Sequence, residues 1–277
     1  MRINKSLHIA SLVYLVSLIP NLFYAQPDIK VYAEQTREGY KIEADNNEYC
    51  DVSVYLELEL TNLRSTRGNN KVFVIPARAR SYKITELDVA NRYNAYRFRY
   101  STRTNFGNHK NKKYDDDHVY QLPFSTKDSV RVIQGYYGLF SHHNEKALDF
   151  KLPEGTDVLA AREGVVVAYE DGNKLHCPKP ECISYNNYIL IIHKDGTFAE
   201  YVHLQHKGVL VKKGQKVKVG ELIGKSGNTG FSTSPHLHFS VYQQKMEEKI
   251  TIPTVFEVAG SELPIQLEEG VYYTHQP

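Results

Sequence analysis

The stretch Ser234-Pro-His-Leu-His-Phe239 reads as the opening of a β-strand. Successive side chains of a strand point to opposite faces, so His236 and His238 share one face while Leu237 and Phe239 share the other. Proline is tolerated at such a strand start. Two imidazoles side by side on a strand supply two donors of the kind zinc prefers. A His-x-His pair is also frequent among ordinary surface and core histidines, so it gains meaning only from partners elsewhere.

Two segments offer such partners. In Phe198-Ala-Glu-Tyr-Val-His-Leu204 the alternation sets His203 on one face with Tyr201. In Ala147-Leu-Asp-Phe-Lys-Leu152, Asp149 faces away from Leu148, Phe150 and Leu152, and His142 and His143 stand just upstream. Histidine, carboxylate and histidine leave a fourth coordination position open, the pattern of a catalytic rather than a structural zinc site. The surrounding sequence is strand-rich: Gly164–Tyr169, Asn187–His193, Thr197–Leu204 and Lys249–Phe256 all read as strands, and no helix of substantial length is expected. Gly214, Gly220, Gly224, Gly227 and Gly230 recur between short apolar runs and read as hairpin corners.

Working outward, Cys50 to Leu60 alternates cleanly. Cys50, Val52, Val54, Leu56, Leu58 and Leu60 share a buried face, and Asp51, Ser53, Glu57 and Glu59 the opposite one. With further runs at Lys71–Ile75, Ser81–Leu87 and around Tyr96–Tyr100, residues 26–120 are expected to form an all-β sandwich, with the immunoglobulin-like arrangement as one candidate. Thr61 to Lys113 holds 13 Lys/Arg against two acids, a candidate basic patch, but Pro27 to Leu60 holds nine acids against three bases, and the two can interleave in a sandwich. Asn108 to Asp117 is polar and reads as the linker, followed by a second domain over 127–256 and a C-terminal extension over 257–277.

The N-terminus reads as an export signal over residues 1–25: Arg2 and Lys5, an apolar run from Ile9 to Ile19, Pro20, and Ala25 as the cleavage-site residue. The run is too short for the ~18 residues of a membrane span, and no other stretch is long enough, so no transmembrane segment is expected in the mature chain. Cleavage removes two positive charges and takes the formal net charge from +2 to 0, which leaves no global charge argument for nucleic acid as a partner. In an exported chain, Cys177 and Cys182 are expected to form a local disulfide, the competing reading being a metal clip with His176 that is one ligand short of a structural zinc site, and Cys50 is expected to be a buried free thiol.

The second domain resembles the M23 family of zinc endopeptidases, which includes lysostaphin and LytM. The matching stretches are Ala147–Val158, Ala160–Val166, Glu200–Leu204, Val211–Gly224, and Ser226–Phe231 through Pro235–Phe239, in family order. The resemblance implies that Asp149 and His238 are metal ligands and that His203 and His236 are the non-ligand catalytic histidines. The usual His-x-x-x-Asp spacing is not met, because Glu145 stands at the histidine's place. Ser141-His142 resembles family members with Ser-His in an extended loop. His142 is therefore the expected first ligand, with His143 and Glu145 as alternatives. The implied function is an exported, periplasmic or extracellular, Zn2+-dependent endopeptidase acting on stem or bridge peptides of bacterial peptidoglycan. The alternative is a catalytically degenerate LytM-like domain that regulates other wall hydrolases. Val211–Gly224 also resembles the hairpins of biotinyl or lipoyl carriers, but Lys212 and Lys213 lack the carrier setting, and no Gly-x-Ser-x-Gly elbow supports a serine hydrolase.

Overall fold

A computed structural model describes residues 25–246 and 248–275. Apart from Ala25, the expected export signal lies outside the described residues. The fold is all-β and its pairings are predominantly antiparallel. The sole helical turn among the described residues is the 3-10 segment Pro180–Tyr185.

The first half contains β1 (Ile29–Gln35), β2 (Gly39–Asn46), β3 (Val52–Thr61), β4 (Leu63–Ser65), β5 (Lys71–Ile75), β6 (Tyr82–Val89) and β7 (Arg97–Phe106). They form a four-stranded sheet, β1-β2-β6-β4, and a three-stranded sheet, β5-β3-β7. Val31, Ile42, Ala44 and Leu87 from the first join Val52, Val54, Leu56, Leu58 and Ile75 from the second in one apolar cluster. The alternation along β3 accounts for this, with one exception: Ser53 is buried, and its hydroxyl donates to Gly107 O at 2.8 Å. The arginines of β7 are matched by neighbours. Arg99 pairs across the ladder with Glu59, Ser101 donates to Glu57 Oε2 at 3.0 Å, and Arg103 lies 4.5 Å from the Tyr55 ring. Along β7, then, the basic residues of the expected patch stand beside acids and an aromatic ring.

The second half contains β8 (Val119–Tyr120), β9 (Phe124–Ser125), β10 (Val130–Gln134), β11 (Ala147–Phe150), β12 (Asp157–Leu159), β13 (Gly164–Glu170), β14 (His176–Cys177), β15 (Tyr188–Ile192), β16 (Phe198–Val202), β17 (Leu204–Val209), β18 (Lys216–Val217), β19 (Leu222–Ser226), β20 (Gly230–Phe231), β21 (Leu237–Gln244), β22 (Lys249–Thr251), β23 (Val255–Phe256) and β24 (Tyr272–Tyr273). The main sheet runs β18-β13-β15-β16-β21-β11-β10-β24, with β22 also on β21; a smaller sheet runs β17-β19-β12-β9. Leu148, Phe150, Tyr201, Leu237 and Phe239 fill the core between them. Burying Leu237 and Phe239 is worth about 3–6 kcal/mol together. A one-residue slip of β21 would forfeit that and turn His236 and His238 inward, so the apolar face fixes the register of the polar one.

Three expected boundaries shift. The strand expected over Lys249–Phe256 splits into β22 and β23 around Pro253, which has no N–H for a ladder. β8, expected at the end of the first domain, pairs in parallel with β23, and Tyr120, Leu122 and Phe124 belong to the second core. The segment after residue 256 is built into that domain: β24 pairs with β10, and Val258, Leu267 and Tyr273 join its core.

The two halves meet on the main sheet. Cys50 and Phe106 pack with Tyr188, Leu190, Phe198, Val202 and Tyr242, and Lys213 Nζ reaches the buried Glu48 Oε1 at 2.8 Å. Cys177 and Cys182 are joined, and Cys50 is free and buried, its thiol pushed up to about 12 by that burial.

Candidate active site

Strand register assembles the site. Asp149 on β11 lies directly opposite His238 on β21, and on the other flank of β21 Glu200 of β16 lies opposite Ser240. Directly opposed side chains sit about 4.5–5.5 Å apart at Cβ, close enough for shared coordination or hydrogen bonding. His142 comes from the long loop between β10 and β11, which folds back so that the ring is 1% exposed. The loop is held by Gln134, whose Oε1 accepts from Phe140 N at 3.0 Å and Ser141 N at 3.2 Å. The same amide donates to Ser141 Oγ at 2.7 Å and Asp149 Oδ2 at 3.0 Å.

Three donor atoms converge. His142 Nε2 lies 3.3 Å from Asp149 Oδ1 and 3.1 Å from His238 Nδ1, and His238 Nδ1 lies 3.0 Å from Asp149 Oδ1. His142 Nδ1–H donates to Gly135 O at 2.9 Å, which in the neutral ring leaves Nε2 as a lone pair. His238 Nε2 faces Glu200 Oε1 at 3.7 Å, which favours a proton on that nitrogen and makes Nδ1, beside Asp149, the nitrogen that would give up its proton to a metal. Two imidazole nitrogens and a carboxylate at such separations can share a proton or hold a divalent metal. Two imidazoles and a carboxylate match the donors zinc prefers, so the residues fit that ion. His143, by contrast, is exposed. Glu145 is half-buried and lies beside Lys249 Nζ at 3.7 Å rather than within the His142–Asp149–His238 group.

Electrostatics follow the packing. Burial raises the Asp149 carboxyl, but hydrogen bonds from His142 and His238 and the nearby His236 hold it well below its usual range. Burial lowers His238, while Asp149 and Glu200 outweigh it and push the ring up to about 10. Glu200, also fully buried, is held below the usual carboxylate range, burial being outweighed by Lys249 and His238.

His203 and His236 complete the cluster. Their ring centroids are 4.5 Å apart, His203 is 6.1 Å from the His238 ring, and His236 Nε2 lies 3.8 Å from Asp149 Oδ1. His203 Nδ1–H donates to Thr229 O at 2.7 Å and His236 Nδ1–H to Ser234 O at 2.7 Å, leaving Nε2 in each ring as the proton-accepting nitrogen. Burial first, then neighbouring histidines, pushes the His203 ring well down; burial likewise lowers His236. Both are therefore held neutral. The simple alternation expected for His203 fails: Tyr201 points into the core, while His203 leaves the strand at φ 66°. A non-glycine residue there costs of order 1–3 kcal/mol and persists only where its surroundings fix it. Here Leu204 N to Asn187 O and the Thr229 contact do so.

This is an all-β domain whose polar sheet face carries a His/Asp donor triad with two further neutral histidines beside it, nearly all of them buried. Residues 143–250 match the profile of Peptidase family M23. Among similar proteins are peptidoglycan DD-endopeptidase ShyA of Vibrio cholerae, 42% identical over 93 residues, covering 34% of this chain and 19% of that protein. Lysostaphin of Staphylococcus simulans is 39% identical over 93 residues, 33% of this chain and 17% of that protein. Cell division protein DipM of Caulobacter vibrioides is 35% identical over 103 residues, 37% and 15%. The solved catalytic domain of lysostaphin from Staphylococcus simulans is 29% identical, covering 45% of this chain and 87% of that one, with a TM-score of 0.34. The chain spans less than a quarter of the length of the curated relatives named here. No helix among the described residues is long and apolar enough to cross a membrane.

Gln134, Glu200, Ser240 and Lys249 are site residues that the sequence did not single out. Glu200 was within reach, since its alternation with Tyr201 sets it on the polar face of β16. Gln134 and Lys249 carry no local signature.

Proposed function

We propose that the chain is an exported zinc-dependent endopeptidase that hydrolyses peptide bonds in the stem or bridge peptides of bacterial peptidoglycan. The observation that carries this reading is the convergence of His142, Asp149 and His238 within 3.0–3.3 Å, with His203 and His236 alongside. His142, Asp149 and His238 would hold the ion. Bound zinc supplies Lewis acidity toward a peptide carbonyl and lowers the pKa of a coordinated water toward 7. His203 and His236 each present an unprotonated Nε2, so either can take a proton from an attacking water. The imidazolium so formed is a donor, able to stabilise the oxyanion or pass the proton to the departing amine. Thr229 O and Ser234 O fix both rings by their Nδ1–H groups, which keeps Nε2 toward the reacting centre. A complete set of donors and proton acceptors supports catalysis over a regulatory role. The test is elemental analysis after zinc reconstitution and dialysis: about one zinc per chain is expected, and none would overturn the enzyme reading.

A further inference from the structure

Behind His238 lies a charged network that the mechanism above does not use. Glu200 is 0% exposed, and its Oε1 takes close hydrogen bonds from the Ser240 hydroxyl and the Lys249 ammonium. The same oxygen faces His238 Nε2 at 3.7 Å. Lys249, on β22, also lies 3.7 Å from Glu145 Oε2 and 4.9 Å from the Tyr242 ring centroid. Glu145 belongs to the loop that carries His142, and that loop is tied to the same strand again, where Lys146 N donates to Thr251 Oγ1 at 2.8 Å. Glu145, Glu200 and His238 could themselves hold a cation, and the Lys249 ammonium supplies one.

We propose that Glu200 and Lys249 are positioning residues for the metal centre. Glu200 holds the Nε2 side of His238, so that Nδ1, which faces Asp149 and His142, is the nitrogen offered to the ion. Lys249 makes a buried Glu200 carboxylate tenable and ties it, through Glu145, to the loop that brings His142. A buried carboxylate without a partner would take up a proton or leave its place. A ligating histidine whose other nitrogen is held by a carboxylate keeps its tautomer and ring orientation. The network thus joins two ligands contributed by distant segments of the chain.

The inference rests on the ligand assignment of the preceding section, and zinc affinity separates the two. Affinity is measured by chelator competition at fixed pH on the mature chain and on Glu200→Gln, Lys249→Arg and the double variant Glu200→Gln/Lys249→Met. A parent that binds no zinc defeats the ligand assignment itself. With a binding parent, Glu200→Gln is expected to weaken affinity about 10–100-fold and to alter the visible spectrum of the Co2+-substituted protein. Lys249→Arg is expected to stay within about threefold of the parent, since it keeps the charge. The double variant should remain as weak as Glu200→Gln, because no carboxylate is restored. Parent-like affinity in Glu200→Gln, or its recovery in the double variant, would overturn the proposal and leave only mutual neutralisation of a buried ion pair. Thermal unfolding checks each variant. If Glu200→Gln does not fold, Ser240→Ala, which removes one donor to Glu200, is expected to weaken zinc several-fold, and an unchanged affinity there overturns the proposal too.

Discussion

Replacing His142 by alanine separates the three candidates for the first ligand. His142 is 1% exposed, with Nε2 3.1–3.3 Å from the two other donor atoms. Complete four-ligand zinc sites bind with about 10–16 kcal/mol, so one ligand accounts for roughly 2.5–4 kcal/mol, a 100–1000-fold loss in affinity. The substitution also leaves Gly135 O without the Nδ1–H donor it has at 2.9 Å, which costs about 1–3 kcal/mol if water does not replace it. His143 is exposed and Glu145 is engaged by Lys249. His143→Ala should therefore change affinity less than about threefold, and Glu145→Ala should act only through the Lys249 network, within about 10–100-fold. Chelator competition at pH 7.5 on folded protein reads all three. If His142→Ala binds zinc as the parent does, or His143→Ala loses as much, the ligand assignment is wrong.

His203→Ala and His236→Ala should each lower hydrolysis by about 10²–10⁴-fold while zinc content stays at the parent level; loss of the metal from either would show that it is a ligand. His193 is buried, with its ring pushed down to about 4, chiefly by that burial. Above pH 6.5 the residue is neutral in both states; between 6.5 and 4 only the unfolded chain takes up the proton, so stability falls as pH falls. Between pH 7 and pH 5 this amounts to about 2 kcal/mol, and denaturant unfolding of His193→Gln should show a pH dependence smaller by that amount. The native chain should show no reactive thiol and, on unfolding without reductant, one, from Cys50. Cys177→Ser/Cys182→Ser should cost about 2 kcal/mol or less, since the disulfide closes a short loop, and a peptide map linking Cys50 to either would refute the pairing.

The polar faces of β11 and β21 were legible because each carries strong apolar residues on its other side. Leu148 and Phe150 fix Asp149 outward, and Leu237 and Phe239 do the same for His238. The alternation of β3 was legible for the same reason, except at Ser53, where the packing of residues 107–109 decides burial. What escaped depends on contacts between distant segments. His203 leaves its strand because Thr229 O holds its ring and Asn187 O accepts from the following Leu204 N, and nothing local to Phe198–Leu204 announces that. The placement of His142 depends on Gln134 bracing the loop, and the role of Lys249 on β22 returning along β21. The segment after residue 256 looks like an extension in sequence, yet Leu267 and Tyr273 close the core.

The central claim is tested most directly by incubating the zinc-loaded chain, residues 26–277, with purified bacterial peptidoglycan and identifying the released fragments by mass spectrometry. The expected result is fragments ending at a hydrolysed peptide bond, abolished by a chelator, restored by zinc and absent with His236→Ala. Intact cross-links after prolonged incubation with chain that demonstrably holds zinc would contradict it.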